Sequence, residues 1–311
     1  MLDSLMNSAI TMLAATDPAQ HVYNHPFLIN EKGMWLWSGN QGNLVLAGLI
    51  VILVGLWVAS KVQTGPESEG VNRYLTTNKF AAMIEVICVY LQEEVVRPLL
   101  GDRTKKLMPY LWTIFFFILV NNLLGLIPMM DVIHLIVPDL KANHKTFLGG
   151  TATQNIWVTA SLAIIAGIFF NFAALHRLGV KGYFGHMTAG APIFVAPLVF
   201  VLELAGQVLI KPVALALRLF ANMTAGHILL ATLLGFVAQG FAKGIGIGAF
   251  VSVISVGGAV AIMILELFVA FLQAFIFMFL TAVFISLMDH HDDHGHDHEH
   301  AHGHGHEHAH A

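Results

Sequence analysis

Residues 246–288 form a nearly unbroken apolar run, GIGAFVSVISVGGAVAIMILELFVAFLQAFIFMFLTAVFISLM. Its only charged residue is Glu266 and its only carboxamide is Gln273. The stretch 191–238 is also apolar along most of its length, with isolated polar side chains. A membrane-crossing helix needs about 20 apolar residues, so each stretch exceeds one perpendicular crossing. Each stretch could form one long, tilted helix or a broken hairpin. Because no cluster of turn-forming residues divides either stretch, we predict two long, tilted helices.

Three further apolar runs, 43–60, 108–128 and 151–173, bring the predicted crossings to five. The composition agrees with this number, since 57% of the 311 residues are hydrophobic and only 11% are charged. Ordinary soluble domains carry about 25% charged residues. The mean hydropathy is +0.73. A soluble enzyme could not cover its surface with so few charges, and we predict an all-α membrane protein.

The charge balance and the cysteine count exclude other classes. The chain holds 15 basic and 19 acidic residues, so it lacks the basic excess of nucleic-acid-binding proteins. The single Cys88 excludes a disulfide framework and a zinc site built from cysteines. We expect no cofactor and no nucleic-acid partner.

Residues 78–100, NKFAAMIEVICVYLQEEVVRPLL, differ from the apolar runs. Apolar positions recur there at helical spacing, and Glu85, Glu93, Glu94 and Arg97 lie among them. This pattern predicts an amphipathic helix at the membrane surface.

The basic residues predict the orientation of the crossings. Nine of the 15 lysines and arginines lie in the connections 61–107 and 174–190. Because loops rich in lysine and arginine stay in the cytoplasm, we expect both connections there. Five crossings then place an N-terminal segment, 1–42, outside and a tail, 289–311, in the cytoplasm. The membrane domain is predicted to span 43–288.

Arg218 is a charged residue within an apolar helix, in the sequence ALALRLFANMTAGH. Arginine at the centre of a membrane helix costs about 3 kcal/mol on insertion scales, and it does not lose its proton. Helical spacing puts Ala214, Ala221 and Ala225 on the same face. Small residues let another helix approach closely. A fixed cation there would favour the ionised form of a partner's carboxylate.

The same stretch carries a family resemblance. KPVALALRLFANMTAGHILL resembles the arginine-bearing helix of subunit a of F-type ATP synthases, and FLQAFIFMFLTAVFISL resembles the last helix of that subunit. Two earlier motifs, NNLLGLIP at 121–128 and TATQNIWVTASLA at 151–163, are similar to the family as well. The similar motifs begin at about residue 75.

The resemblance implies that the chain is the membrane stator subunit of the synthase and catalyses no reaction itself. The implied subunit provides two offset half-channels for protons, and its implied partners are the c-ring, the peripheral-stalk b subunits and the lipid bilayer. A c-ring carboxylate is loaded from one half-channel and releases its proton into the other. The implied location is the bacterial plasma membrane.

The resemblance also assigns roles to single residues. Arg218 corresponds to the essential arginine that faces the c-ring carboxylate. The residues that correspond to the proton path are Asn222, His227, Glu266 and Gln273. The acid and the histidine are exchanged between the two helices, as in mitochondrial members. Glu203 is a weaker match on the cytoplasmic side, because it lies nine residues before Pro212 instead of the usual eight.

The geometry of two antiparallel helices supports a pairing of His227 with Glu266. If Arg218 and Gln273 lie at the same depth, a rise of 1.5 Å per residue places His227 about 13 Å and Glu266 about 10 Å further outward. Histidine titrates near neutrality, so such a pair can relay protons. A structural pair of buried side chains is the alternative.

Eleven of the 18 histidines lie in the tail, between His290 and His310. The tail has no large apolar residues to fold around, so we expect it to be disordered. Its candidate metal ligands include His290, His291, His294 and His296. Metal buffering, proton buffering and a merely solubilising role remain open.

The tail also suggests a second function, that of a secondary metal-ion transporter. Such a transporter needs ligand pairs at helical spacing within its crossings. His227, however, stands alone on its helix, and no second carboxylate joins Glu266. A third possibility, a structural scaffold, leaves Arg218 unexplained. The sequence therefore favours the stator subunit, with no metal site inside the membrane.

Overall fold

The computed structural model describes residues 26–29, 35–62, 76, 78–127, 147–149, 151–188, 192 and 194–287. Its α-helices are α1 (Gly39–Lys61), α2 (Lys79–Tyr90), α3 (Arg97–Leu100), α4 (Thr104–Leu126), α5 (Ile156–Thr188), α6 (Ala196–Ala205), α7 (Lys211–Ala242) and α8 (Ile245–Leu287). Two strands, β1 (Pro26–Ile29) and β2 (Trp35–Ser38), pair antiparallel before α1.

Within the described residues, five helical segments are long and apolar enough to cross a membrane: Gly39–Lys61, Lys79–Leu126, Ile156–Val180, Ala196–Ala242 and Ile245–Leu287. The prediction of an all-α membrane protein with five crossings is therefore confirmed. The β1–β2 hairpin, which the hydrophobic pattern does not predict, is a small addition at one end of the helices.

The first crossing begins earlier than the apolar run indicates. The backbone N–H of Ser38 donates to Oε1 of Gln41 at 2.9 Å, and this capping pair starts α1 at Gly39 instead of residue 43. The hairpin before it is attached by Trp37, whose Nε1 donates to the carbonyl oxygen of Phe147 at 3.1 Å.

The amphipathic helix predicted over 78–100 is present as α2, a π-helical turn over Leu91–Val96, and α3. Gly101, with φ of +52°, separates it from α4. Although Cys88 and Trp112 lie on either side of this break, the indole Nε1 of Trp112 donates to the carbonyl oxygen of Cys88 at 3.2 Å. The helix therefore packs against α4. Its location on the membrane surface stays a prediction.

The third crossing continues well beyond the predicted run 151–173. A 3₁₀ turn over Ala152–Gln154 precedes α5, which extends to Thr188 with a kink at Gly179, where φ is +67°. The kink lets the hydroxyl of Tyr183 reach back to Oδ1 of Asn171, to which it donates at 2.6 Å.

The last two apolar stretches are long helices, as predicted, and neither is a broken hairpin. A π-helical turn over Gly206–Ile210 joins α6 to α7, so the segment is helical over 47 residues. Helix α8 has 43 residues. At 1.5 Å per residue both exceed 60 Å, roughly twice the hydrocarbon core, so they must tilt or extend beyond it. Gly244, with φ of +135°, reverses the chain between α7 and α8.

The buried core is built mainly by α4, α5, α7 and α8. Its largest buried side chains include Phe115, Phe170, Leu219, Phe277 and Met278. Many other large apolar side chains are exposed, including Phe172 at 63%. Exposed apolar surface on this scale is expected where lipid surrounds the helices.

Two long-range hydrogen bonds define one end of the bundle, here called the basic end. The hydroxyl of Ser286 donates to the carbonyl oxygen of Leu99 at 2.8 Å. Nη2 of Arg103 donates to the carbonyl oxygen of Ala173 at 3.2 Å. The described parts of the connections 61–107 and 174–190 therefore meet at the same end of the molecule, near the end of α8.

Candidate functional site

Arg218 lies near the middle of the Ala196–Ala242 segment, and its side chain is exposed. It forms no hydrogen bond or ion pair with any residue that the structure describes. Ala214, Ala221 and Ala225, the small residues predicted on the same face, are exposed too. The described chain thus leaves a guanidinium uncovered within a strip of alanines.

The pairing of α7 with α8 follows the antiparallel register predicted from the sequence. Nδ2 of Asn222, one turn after Arg218, donates to Oε1 of Gln273 at 2.9 Å. One turn further along α7, Gly226 faces the carboxylate of Glu266 on α8. His227, the next residue, therefore lies at the level of Glu266, as the depth argument predicts.

Gly226 makes room for the Glu266 carboxylate. A Cβ atom at position 226 would overlap Oε1 of Glu266, so a larger residue there requires the end of the Glu266 side chain to move. Glu266 is only 7% exposed. Neither of its carboxylate oxygens has a hydrogen-bond partner among the described residues.

His227 contacts a different group. Its Nε2 lies 3.0 Å from the hydroxyl of Thr151, in the short segment before α5. The structure thus brings His227 and Glu266 to one level without a hydrogen bond or an ion pair between them. Their pairing as a proton relay stays a prediction.

Thr151 belongs to a polar cluster that the sequence argument did not assign. Its hydroxyl also lies 3.4 Å from the carbonyl oxygen of Gly125, which it approaches closely because glycine lacks a Cβ atom. The hydroxyl of Thr153 donates to Oδ1 of Asn122 at 3.0 Å, and Nδ2 of Asn122 donates to the carbonyl oxygen of Ala270 at 3.2 Å.

Gln154 completes the polar cluster, which consists of Asn122, Thr151, Thr153, Gln154 and His227. Its Nε2 donates to the carbonyl oxygen of Met223 on α7 at 3.3 Å. The hydrogen bonds of the cluster connect the end of α4 and the segment before α5 to α7 and α8. The polar residues within the motifs NNLLGLIP and TATQNIWVTASLA, which lie beside apolar runs, could have indicated this cluster in the sequence.

A second polar group lies on the other side of Arg218. Nε2 of Gln207 donates to Oε1 of Glu203 at 2.9 Å. Gln207 is buried in the π-helical turn, and its own Oε1 has no partner within the described segments. Glu203 lies about 22 Å along the helix from Arg218, and His227 about 13 Å in the opposite direction. The sequence analysis assigned no role to Gln207, because a single glutamine in an apolar run does not form a recognisable motif.

Tyr183 lies within electrostatic reach of Glu203. Burial, and to a lesser extent the charge of Glu203, raise the pKa of the Tyr183 phenol. The phenol therefore stays protonated at neutral pH and keeps its hydrogen bond to Asn171.

The described part of the chain contains no group of three His, Cys, Asp or Glu side chains that could hold a metal ion. The tail histidines, including His290, His291, His294 and His296, lie outside the described residues. Nothing in the described structure or in the similar proteins supports a metal-ion transporter.

The fold and these groups define a multi-pass helical membrane protein with an uncovered cation between polar groups at two depths. Residues 43–286 match the family model of the ATP synthase A chain. The chain belongs to this family, which confirms the resemblance seen in the motifs.

Several relatives carry the name ATP synthase subunit a. The chain is 39% identical over 215 residues to subunit a 2 of Chlorobaculum tepidum, covering 68% of this chain and 53% of that protein. It is 42% identical over 218 residues to subunit a of Anaeromyxobacter dehalogenans, covering 68% of this chain and 50% of that protein. It is 36% identical over 268 residues to subunit a of Pelodictyon phaeoclathratiforme, covering 86% of this chain and 67% of that protein. The chain thus spans between half and two thirds of these relatives.

Proposed function

We propose that this chain is the proton-translocating stator subunit of an F-type ATP synthase. It catalyses no reaction itself and provides two half-channels that open at different depths on either side of Arg218. One observation carries the proposal: Arg218 lies uncovered on a strip of small residues, between polar groups that are displaced in opposite directions along the same helix.

The outer half-channel contains His227, Glu266, Asn222 and Gln273. A proton enters near His227 and Glu266 and loads a carboxylate of the c-ring, which the alanine strip admits to close range. Rotation carries this carboxylate around until it meets Arg218, whose permanent charge favours the ionised form and drives proton release. Because the cation blocks a straight path, protons cross only with rotation.

The inner half-channel contains Glu203, which Gln207 orients by a hydrogen bond. The proton released beside Arg218 leaves along this path. Each proton that crosses a potential of 100 mV supplies about 2.3 kcal/mol for rotation.

The proposed partners are the c-ring on the Arg218 face, the peripheral-stalk b subunits and the lipid bilayer. The proposed location is the bacterial plasma membrane, with the N-terminus outside and the C-terminus in the cytoplasm. The meeting of the two basic connections at the basic end supports this orientation, because one side of the membrane then receives most of the positive charge.

The test is ATP-driven proton pumping in inverted vesicles that contain the assembled complex. Arg218→Ala should abolish coupled pumping, and Arg218→Lys should restore little, since a compact ammonium does not reproduce the planar guanidinium. Lys243→Gln, which removes a cation from the end of the same helix segment, is the control and should pump normally. Normal pumping by Arg218→Ala in a complete complex would overturn the proposal.

A further inference from the structure

A cavity of about 680 Å³ lies at the basic end, where the start of α4 meets the later turns of α5. Three cations line it: Arg103, Lys106 and Arg177. His176 lies beside them, and Asp102 is the single acid in the lining. Without the histidine, the three cations and one acid give the cavity a charge of +2.

Part of the cavity wall is apolar. Phe169 and Phe172 contribute aromatic rings to it. Phe169 is fixed by stacking on Tyr110, with ring centroids 3.5 Å apart, while Phe172 is 63% exposed. The lining of the cavity is therefore amphipathic, because it combines cations with an accessible aromatic surface.

The position of the cavity matches the boundary between headgroups and hydrocarbon. Arg177 lies in the last turn of the Ile156–Val180 crossing, and Arg103 directly precedes α4. Phe172 lies one turn before His176, toward the middle of the membrane, and their rings are 6.4 Å apart. The bond from Arg103 to the carbonyl oxygen of Ala173 holds the two helices together at this point.

We propose that this cavity binds one anionic phospholipid, with its phosphate between Arg177 and Lys106 and an acyl chain along Phe172. Basic pockets between membrane helices recognise acidic headgroups, and the guanidinium group binds phosphate oxygens in pairs. The apolar wall selects a lipid over a small phosphate, since only a lipid supplies a chain that covers Phe172. This site is separate from the path of the protons and does not depend on the proposed function.

The test measures phospholipid binding to the full-length chain in detergent by native mass spectrometry. Dioleoyl phosphatidylglycerol should bind as one tightly held molecule, and dioleoyl phosphatidylcholine should bind at least tenfold more weakly. Lys106→Gln and Arg177→Gln should each weaken phosphatidylglycerol binding about fivefold. Lys105→Gln is the matched control, because Lys105 is an exposed neighbour of the same charge that does not line the cavity.

Equal weakening by Lys105→Gln and Lys106→Gln would overturn the proposal, because the loss would then reflect general surface charge. Phe172→Ala keeps every charge. It should weaken the binding of the diacyl lipid without changing the binding of inorganic phosphate. If inorganic phosphate displaces the lipid at equal concentration, the cavity is a phosphate site and the assignment to a lipid is wrong.

Discussion

Glu266 is a carboxylic acid that the fold buries without a fixed partner. Burying a polar group without hydrogen bonds is unfavourable, and native proteins rarely leave such groups unpaired. Both oxygens of Glu266 lack a partner among the described residues, and Gly226 gives them space. No hydrogen bond in the described fold therefore holds this acid in one protonation state, which suits a group that passes protons on.

Replacing Gly226 by alanine should slow proton passage through the outer half-channel. The new Cβ atom would overlap Oε1 of Glu266 and displace the carboxylate. Gly235→Ala, on the same helix but with no atom within 4 Å of the new Cβ, is the control and should be neutral. Both changes favour the helix by about 1 kcal/mol, so a difference in ATP-driven pumping reports the displaced acid. Equal pumping by the two variants would contradict this role.

Thr151→Val should reduce proton uptake about fivefold, the effect of losing one neutral hydrogen bond of about 1 kcal/mol. Valine keeps the size of the side chain and removes the hydroxyl that lies 3.0 Å from Nε2 of His227. Thr159→Val is the matched control, since among the described residues the buried Thr159 hydroxyl bonds only to the carbonyl oxygens of Asn155 and Ile156.

A double-mutant cycle separates this positioning role from a general effect on stability. In a His227→Ala background, Thr151→Val should cause no additional loss of pumping, because the imidazole that it orients is gone. Losses that simply add would show that Thr151 acts independently of His227.

At the scale of elements, the apolar runs predicted the five crossings, and the antiparallel register of the last two helices predicted the depth of His227 relative to Glu266. Hydrophobic periodicity carries this information because lipid surrounds the helices. The same pattern does not predict the π-helical turns, the kink at Gly179 or the polar cluster around Thr151. The polar cluster arises from contacts between segments far apart in sequence, which the order of apolar and polar residues does not encode.

The turn between α7 and α8 should tolerate only glycine at position 244. Its φ of +135° is a conformation that other L-residues rarely adopt, so Gly244→Ala should destabilise the protein by about 1–3 kcal/mol. Gly246→Ala is the control, since nothing lies within 4 Å of its new Cβ and its φ is ordinary. The measurement is the apparent melting temperature of the purified chain in detergent at one scan rate. An unchanged value for Gly244→Ala would show that the turn relaxes freely.

At the scale of the whole molecule, the described structure places its polar groups at both ends and its cation between them. The polar cluster around Thr151 lies at the end opposite the basic end, where Arg103 and Ser286 are bonded. Under the proposed function the c-ring connects the two ends, because Arg218 itself cannot give up a proton.

Deleting residues 289–311 should leave assembly and coupled pumping unchanged, because the last helix ends at Leu287 and the tail has no large apolar residues. The full-length chain should bind zinc or nickel, and the truncated chain should not. Both are measured on the purified complex, by subunit composition and by metal titration. Failure of the truncated chain to assemble would show that the tail docks on a partner.

The uncovered guanidinium of Arg218 has a consequence for the newly made chain. An arginine that faces lipid costs about 3 kcal/mol, which corresponds to a more than hundredfold shift in an equilibrium between solitary and partnered forms. A solitary copy therefore displays a helix that the bilayer solvates poorly, whereas a partnered copy hides it.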